Sequence, residues 1–246
     1  MPSMRDVREE RERRDMQGGR GPQGYLARPA ILASFAFLAA VLAGCGISPT
    51  VHFYTLSAGA SPGGDASPAL AAATISVGPV TLPDVVDRPQ LVLRTGANQV
   101  VIAEEHRWAE PLKGEIPRVL AENLAQMLGV KQVWSYPQSA TDKADVRVLV
   151  DVQRFDSTPG ESAVIDVYWT VRRGESEPTS GRSLVKGTAN GSGYDALAAA
   201  HGRALVTVSR DIAVAIRATE TAGAKTAPTP SPPPATPAPP ASAPAH

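Results

Sequence analysis

Cysteine is nearly absent from this 246-residue chain, which contains only Cys45. One thiol excludes an internal disulfide framework and any metal site built from several cysteines. An excess of either charge is also absent, because 24 basic residues balance 24 acidic ones, so we expect no nucleic-acid partner. Aromatic residues are scarce at 5%, whereas glycine and proline number 21 and 23. We therefore expect part of the chain to lie outside any packed core, and the remainder to form one domain.

Catalytic and metal-binding patterns are likewise missing from the sequence. The spacings of its four histidines match no metal motif: His52, His106, His201 and His246. With no second cysteine, a Cys–His catalytic pair has no candidate nucleophile once Cys45 is assigned to another role. We therefore predict that the protein is not an enzyme, with no catalytic residues, no metal site and no cofactor other than a covalent lipid.

The N-terminal region has the pattern of an export signal. Residues 30–44 read AILASFAFLAAVLAG, carry no charge and follow Arg20 and Arg28. This run is too short to span a bilayer comfortably, but it suits the apolar region of a signal peptide. It ends in Leu42-Ala43-Gly44-Cys45, which resembles a lipobox. The alternatives are an ordinary secretory signal beside a cysteine, or a buried helix.

The lipobox predicts that residues 1–44 are removed and that Cys45 receives a diacylglycerol and further acyl chains. Several acyl chains on one residue form a stable membrane anchor. Residues 1–15 are unusually acidic for a signal peptide, so we expect translation to begin at Met16. Gly46 replaces the aspartate that favours inner-membrane retention, which favours the outer membrane.

The predicted mature chain divides into three parts. Residues 45–73 form a lipid-anchored segment with a first strand near 51–56 and a flexible loop at 58–73. Residues 74–219 form the domain. Residues 220–246 are almost entirely proline, alanine, threonine and serine, a composition that predicts a disordered tail.

Period-two alternation predicts the strands of the domain. It runs through 74–82, through a hairpin formed by 91–95 and 99–103, and through the apolar positions of 146–152 and 163–171, with a weaker strand at 182–190. Two helices are predicted, one from about Pro111 to Leu128 with Gly129 as its stop, the other after Asp195 as N-cap. Pro117 should bend the first helix or mark its start. The predicted fold class is α+β: a mixed, mostly antiparallel sheet with two main helices packed on one face.

The second predicted helix has an apolar stripe and a basic face. Its stripe comprises Leu197, Ala204, Leu205, Val208, Ile212 and Ile216. Arg203, Arg210 and Arg217 are expected on the polar face, where they could meet a neighbouring subunit, phospholipid headgroups or solvent.

The most distinctive block runs from Val77 to Leu112, where three prolines interrupt apolar strand sequence. Prolines in a sheet belong at edges or bulges, because they cannot donate to the ladder. A proline-broken edge beside an exposed Arg88 could form a docking surface, or could simply protect the edge from aggregation. Trp108 is expected to open the first helix as a partly buried anchor, next to Glu110. Arg88, Trp108 and Glu110 are thus the candidate docking or structural residues.

A family resemblance rests on several short motifs in a specific order. They are Phe53-Tyr54-Thr55-Leu56, Val77-Gly78-Pro79-Val80, Leu82-Pro83, Asp87-Arg88-Pro89-Gln90, Arg107-Trp108-Ala109-Glu110-Pro111-Leu112, Ala121-Glu122-Asn123-Leu124, Tyr136-Pro137 and Gly193-Tyr194-Asp195. With them the sequence resembles the PqiC/YmbA family, the auxiliary lipoproteins of MCE-type intermembrane transport systems. The N-terminal extension and the proline-rich tail depart from the family pattern.

The resemblance implies an outer-membrane lipoprotein that faces the periplasm and forms homo-oligomers. Its expected partners are the membrane, through the lipid anchor, and a PqiB-like MCE-domain transport protein of a system that moves lipids. An alternative is an outer-membrane lipoprotein that binds peptidoglycan or envelope-assembly enzymes. A soluble lipid carrier would need a deep apolar pocket, which the sequence neither predicts nor excludes.

Overall fold

The structure is a computed structural model that describes residues 49–59, 63, 66–136 and 143–226. The predictions for the signal segment, for Cys45 and for most of the proline-rich tail lie outside these residues. The described chain contains eight strands and three helices. In chain order they are β1 (His52–Tyr54), α1 (Pro68–Ala71), β2 (Ile75–Thr81), β3 (Gln90–Gly96), β4 (Gln99–Trp108), α2 (Leu112–Leu128), β5 (Val133–Ser135), β6 (Val146–Thr158), β7 (Ser162–Arg173), β8 (Thr179–Thr188) and α3 (Tyr194–Thr226).

The long strand β6 organises the sheet. One of its edges pairs with antiparallel β7 along the whole strand, and β7 pairs in turn with antiparallel β8. β6 also pairs in parallel with β2 near its start and with β3 near its end, where Leu93 lies opposite Ser157. β3 and β4 form an antiparallel hairpin, while β1 and β5 are added in parallel to β4 and β2. The longest ladders are antiparallel, which confirms the predicted mixed, mostly antiparallel α+β fold.

The predicted alternation places the core on one face of the sheet. Val146, Val148, Val150 and Val152 of β6 are buried, as are the alternate residues Ala163 to Val171 of β7. α2 packs against β2 and β5, whereas α3 packs against β7, β8 and α2. Each fully buried aliphatic side chain stabilises the fold by roughly 1.5–3 kcal/mol.

Both main helices follow their sequence patterns closely. α2 ends where Gly129 adopts a left-handed conformation with φ 67°, as the predicted stop requires. Pro117 lies inside α2, since the helix already begins at Leu112. The six apolar stripe residues of α3 are buried. Arg203, Arg210 and Arg217 are exposed on its other side, as predicted.

Several local predictions were wrong. Trp108 is the last residue of β4 rather than the start of a helix, because the strand stays paired with β1 as far as Trp108. Asp195 lies in the first turn of α3 instead of capping it, since the helix begins at Tyr194, whose ring packs on His106. The predicted loop at 58–73 contains α1, which buries Leu70.

Of the three prolines that interrupt the Val77–Leu112 block, Pro79 lies at a bulge of an interior strand, whereas Pro83 and Pro89 lie in the loop between β2 and β3. Pro79 follows a cis peptide bond inside β2, where the pairing with β6 shifts between Val77 and Val80. β2 itself is an interior strand between β6 and β5. The loop that contains Arg88 follows β2 and leads into β3.

Candidate functional site

Three separate segments converge on one surface groove, which we call the Trp108 groove. Its lining comes from β1, from the loop before β3 and from the β4–α2 junction, and comprises Phe53, Asp87, Arg88, Pro89 and residues 107–112. Its volume is about 440 Å³. Arg88, Trp108 and Glu110, which the sequence singled out separately, therefore lie around the same depression.

Backbone hydrogen bonds on both sides hold the groove together. The Trp108 amide donates to the carbonyl of Pro89 at 2.7 Å, which ties β4 to the proline loop. The next amide, that of Ala109, donates to the carbonyl of Tyr54 at 2.8 Å, which ties β4 to β1. The Lys113 ammonium pairs with the Asp87 carboxylate and closes the loop against the start of α2. The three segments thus form one connected surface.

An aromatic cluster supports the floor of the groove. Trp108 is 5% exposed, so the expected partly buried anchor is in fact almost fully buried. Its ring meets Phe155 and His201 edge-on, with centroid distances of 6.0 and 6.2 Å. Phe155 and His201 stack face to face at 3.8 Å, and His201 Nε2 hydrogen-bonds to the Ser157 hydroxyl at 2.8 Å. Such aromatic pairs add about 0.5–1.5 kcal/mol each beyond the area they bury.

His201 is neutral in this cluster. The residue has no exposed surface, and burial lowers the pKa of its imidazole from 6.5 to about 3. Its Nδ1 atom has no hydrogen-bond partner among the described residues. The floor below Trp108 is therefore an uncharged aromatic layer.

The rim of the groove combines an apolar side chain with charged ones. Phe53 is 64% exposed, which is unusual for a large aromatic residue on a strand. Glu110 is exposed on the opposite segment. Arg88 is half-buried, contrary to the expected full exposure, and its Nε is buried without a hydrogen-bond partner in the described part of the chain. The groove thus offers an apolar contact next to a cation and an anion, a composition typical of protein-binding surfaces.

A second cluster fixes β1, which carries Phe53, against the start of α3. The Tyr54 hydroxyl hydrogen-bonds to His106 Nδ1 at 2.7 Å, and the His106 ring stacks on Tyr194 at 3.6 Å. His52 stacks on the other side of His106 at 5.3 Å. Burial, together with the nearby Asp195 carboxylate, raises the pKa of Tyr54, which keeps its hydroxyl protonated. The short edge strand is therefore held by side chains as well as by its ladder.

The chain that leaves β1 is clamped by α2. The Leu56 amide donates to the buried Glu115 carboxylate at 2.9 Å, and Arg118 donates to the Leu56 carbonyl at 2.9 Å. Farther along, the Gly59 amide donates to the Asn123 side chain at 3.1 Å. Burial raises the pKa of Glu115 despite these hydrogen bonds and the nearby Arg118. These hydrogen bonds, which we call the β1 clamp, fix the chain that follows β1 to α2.

Sequence reasoning found Arg88, Trp108 and Glu110 but did not assign a role to Phe53. The alternation of His52, Phe53 and Tyr54 was a usable signal, because it places Phe53 on the face opposite its neighbours.

Among the residues that the structure describes, no cluster of potential metal ligands occurs. Within the same residues, no helix has the length and hydropathy needed to cross a bilayer.

Comparisons with known proteins support the fold and the resemblance. Residues 54–213 match the model of a family described as the ABC-type transport auxiliary lipoprotein component. The crystal structure of a Xanthomonas campestris protein of family DUF330 superposes with a TM-score of 0.58 at 17% identity, covering 72% of this chain and 100% of that one. The crystal structure of an uncharacterized protein superposes with a TM-score of 0.56 at 22% identity, covering 68% of this chain and 99% of that one. No curated protein matches the chain.

Proposed function

Because the chain belongs to the family of ABC-type transport auxiliary lipoprotein components, we propose that it is anchored to the outer membrane and faces the periplasm. There it docks the MCE-domain subunit of an intermembrane lipid transport system. Membership confirms the PqiC/YmbA resemblance and makes the protein an envelope lipoprotein associated with transport rather than a member of a known enzyme family. Four features go beyond family membership and are proposals: the lipid on Cys45, the outer-membrane location, the MCE partner and homo-oligomeric assembly.

The convergence of the family motifs in the Trp108 groove is the observation that supports docking. The motifs around Phe53, Arg88 and Trp108 lie far apart in sequence but line one surface. Motifs that served packing alone would not need to leave Phe53 exposed beside a half-buried Arg88. A large aromatic residue and an arginine next to an apolar floor are the residue types that dominate binding energy at protein interfaces.

The test is affinity purification of the acylated protein from detergent-solubilised envelopes, compared across matched variants. Arg88→Glu and Phe53→Ser should abolish recovery of an MCE-domain protein, because both change the rim of the groove. Arg210→Glu and Leu184→Ser are the matched controls, since both residues are exposed and neither lines the groove. The controls should recover the partner as well as the wild type does.

Two results would contradict the docking proposal. Recovery of a peptidoglycan synthase or envelope-assembly factor in place of an MCE-domain protein would support the alternative partner class. Equal recovery of the MCE-domain protein by the groove variants and the wild type would place docking elsewhere on the surface. Homo-oligomerisation is tested separately, by the mass of the purified acylated protein in detergent.

A further inference from the structure

The tip of the β3–β4 hairpin has an unusual surface, which we call the hairpin tip and define as residues 95–103. Those nine residues carry no charge. Val100, Val101 and Ile102 are 41%, 46% and 38% exposed. Val100 and Ile102 lie on one face of the strand and Val101 on the other, so the hairpin tip is apolar on both sides.

The outer edge of β4 beside the hairpin tip is also open. β1 pairs with β4 only through residues 106–108. Among the described residues, 99–103 therefore pair on the β3 side alone, before the register shifts between Ala103 and Arg107. The open edge is apolar from Val100 to Ala103 and invites association unless something covers it, because its outward amide and carbonyl groups are available to another strand.

The direction of β1 shows from which side the N-terminal segment reaches the sheet. β1 runs parallel to β4, and His52 lies opposite His106. Val51, which leads into β1, therefore lies toward the end of β4 that carries the hairpin tip. Cys45 precedes His52 by seven residues, as Gln99 precedes His106. Seven residues span at most about 24 Å, so whatever path residues 45–48 take, the lipid on Cys45 is covalently confined within that distance of His52.

We propose that the hairpin tip is a second membrane contact, seated in the headgroup region of the same bilayer that holds the Cys45 lipid. The inference rests on the proposed function only in taking Cys45 to be acylated. A bilayer suits the hairpin tip better than a protein partner does, because a lipid environment can surround both apolar faces at once. Residues 95–103 bring no charge of their own into the interface, and the neighbouring Arg94 guanidinium, which donates to the Ala97 carbonyl, is paired with the Asp156 carboxylate.

The second contact orients the domain. Acyl chains on one residue hold a protein at a membrane but leave it free to turn about its tether. With the hairpin tip also seated, β4 points away from the bilayer. Gln99 and Arg107 of β4 lie opposite Gly96 and Gln90 of β3, which are six residues apart, so the Trp108 end of β4 lies roughly 20 Å from its start. The Trp108 groove would then face the periplasm, where a partner that spans the envelope can reach it.

The test measures the depth of the hairpin tip in the complete acylated protein. Because Cys45 carries the lipid, Val101→Cys introduces a single free thiol that can take an environment-sensitive NBD fluorophore. The labelled protein is reconstituted into phosphatidylethanolamine–phosphatidylglycerol vesicles, with or without nitroxide-labelled lipid. Leu184→Cys is the matched control, an exposed aliphatic residue on β8. Circular dichroism establishes that both labelled variants keep the wild-type fold.

We expect the label at residue 101 to emit at shorter wavelength and to be quenched by the nitroxide lipid, and the label at residue 184 to remain in water. Equal emission and equal quenching at the two positions would overturn the proposal. So would a label at residue 101 that responds to a purified MCE-domain protein in detergent but not to lipid.

The outcomes for the two proposals can be separated. Lipid quenching at residue 101 together with failed recovery of an MCE-domain protein would retain the membrane contact and reject the docking role. Recovery of the partner without lipid quenching would do the reverse. Mass spectrometry of the purified protein establishes the acylation of Cys45 on which both experiments depend.

Discussion

The buried histidine beneath the Trp108 groove makes a quantitative prediction about pH. Burial lowers the pKa of His201 to about 3, whereas an exposed imidazole titrates near 6.5. Between these values the unfolded chain binds a proton that the folded chain does not. The contribution of the neutral His201 imidazole to the free energy of unfolding is therefore fully present above pH 6.5. It is lost as the pH falls from about 6.5 toward 3. Between pH 7 and pH 5 this linkage amounts to about 2 kcal/mol of unfolding free energy.

The assay is urea denaturation of the unacylated mature chain at both pH values, for the wild type and for His201→Gln. Glutamine can still hydrogen-bond to Ser157 but does not titrate. We expect the stability difference between wild type and variant to shift by about 2 kcal/mol between pH 7 and pH 5, in the direction that disfavours the wild type at pH 5. His52→Gln is the matched control, because His52 is exposed in the folded chain and lies outside the His201 cluster. A difference that stays constant with pH would refute the assignment of His201 as a buried neutral group.

Two further predictions concern packing and the β1 clamp, and both are checked by thermal or urea unfolding. A Cβ at Gly181 would lie 2.2 Å from the Trp169 ring, so Gly181→Ala should destabilise the fold by about 1–3 kcal/mol. Gly114→Ala meets nothing within 4 Å in helix α2 and should stabilise it by up to about 1 kcal/mol. Glu115→Ala leaves the amide after β1 without its buried acceptor and should cost about 1.5–3 kcal/mol. Glu122→Ala, which removes an exposed ion-pair partner from the same helix, should cost about 0.5 kcal/mol or less. Equal effects of the two glycine variants would contradict the close packing at Gly181. Equal effects of the two glutamate variants would contradict the buried hydrogen bond of Glu115.

The parts of the fold that sequence predicted are those governed by neighbours along the chain. Alternation in β6 and β7 and helical spacing in α2 and α3 each depend on residues a few positions apart. The left-handed Gly129 at the end of α2 is equally local. These patterns identified the elements and their buried faces, and so the α+β class.

The pairings that assemble the candidate site depend on residues far apart in sequence. Nothing local shows that β1 adds in parallel to β4, or that β6 pairs with both β2 and β3 along one edge. The short strand β5 was not predicted because three residues carry too little periodicity. Arg88, Trp108 and Glu110 were found as motif residues, but their common groove forms only when the Pro89 carbonyl accepts from the Trp108 amide. Burial of Arg88 was missed for the same reason.

Strand β4 connects the surfaces on which the two proposals rest. The hairpin tip lies at its first residues and the Trp108 groove at its last. The far end of β4 is fixed by β1, by the proline loop and by the aromatic layer around Phe155 and His201. The ladder with β3 and the contacts at the Trp108 end hold both ends of β4 in one sheet, across the register shift between Ala103 and Arg107. An auxiliary lipoprotein that must present a docking surface at a defined height above a membrane needs such a spacer, and a flexible linker of equal length would not provide it.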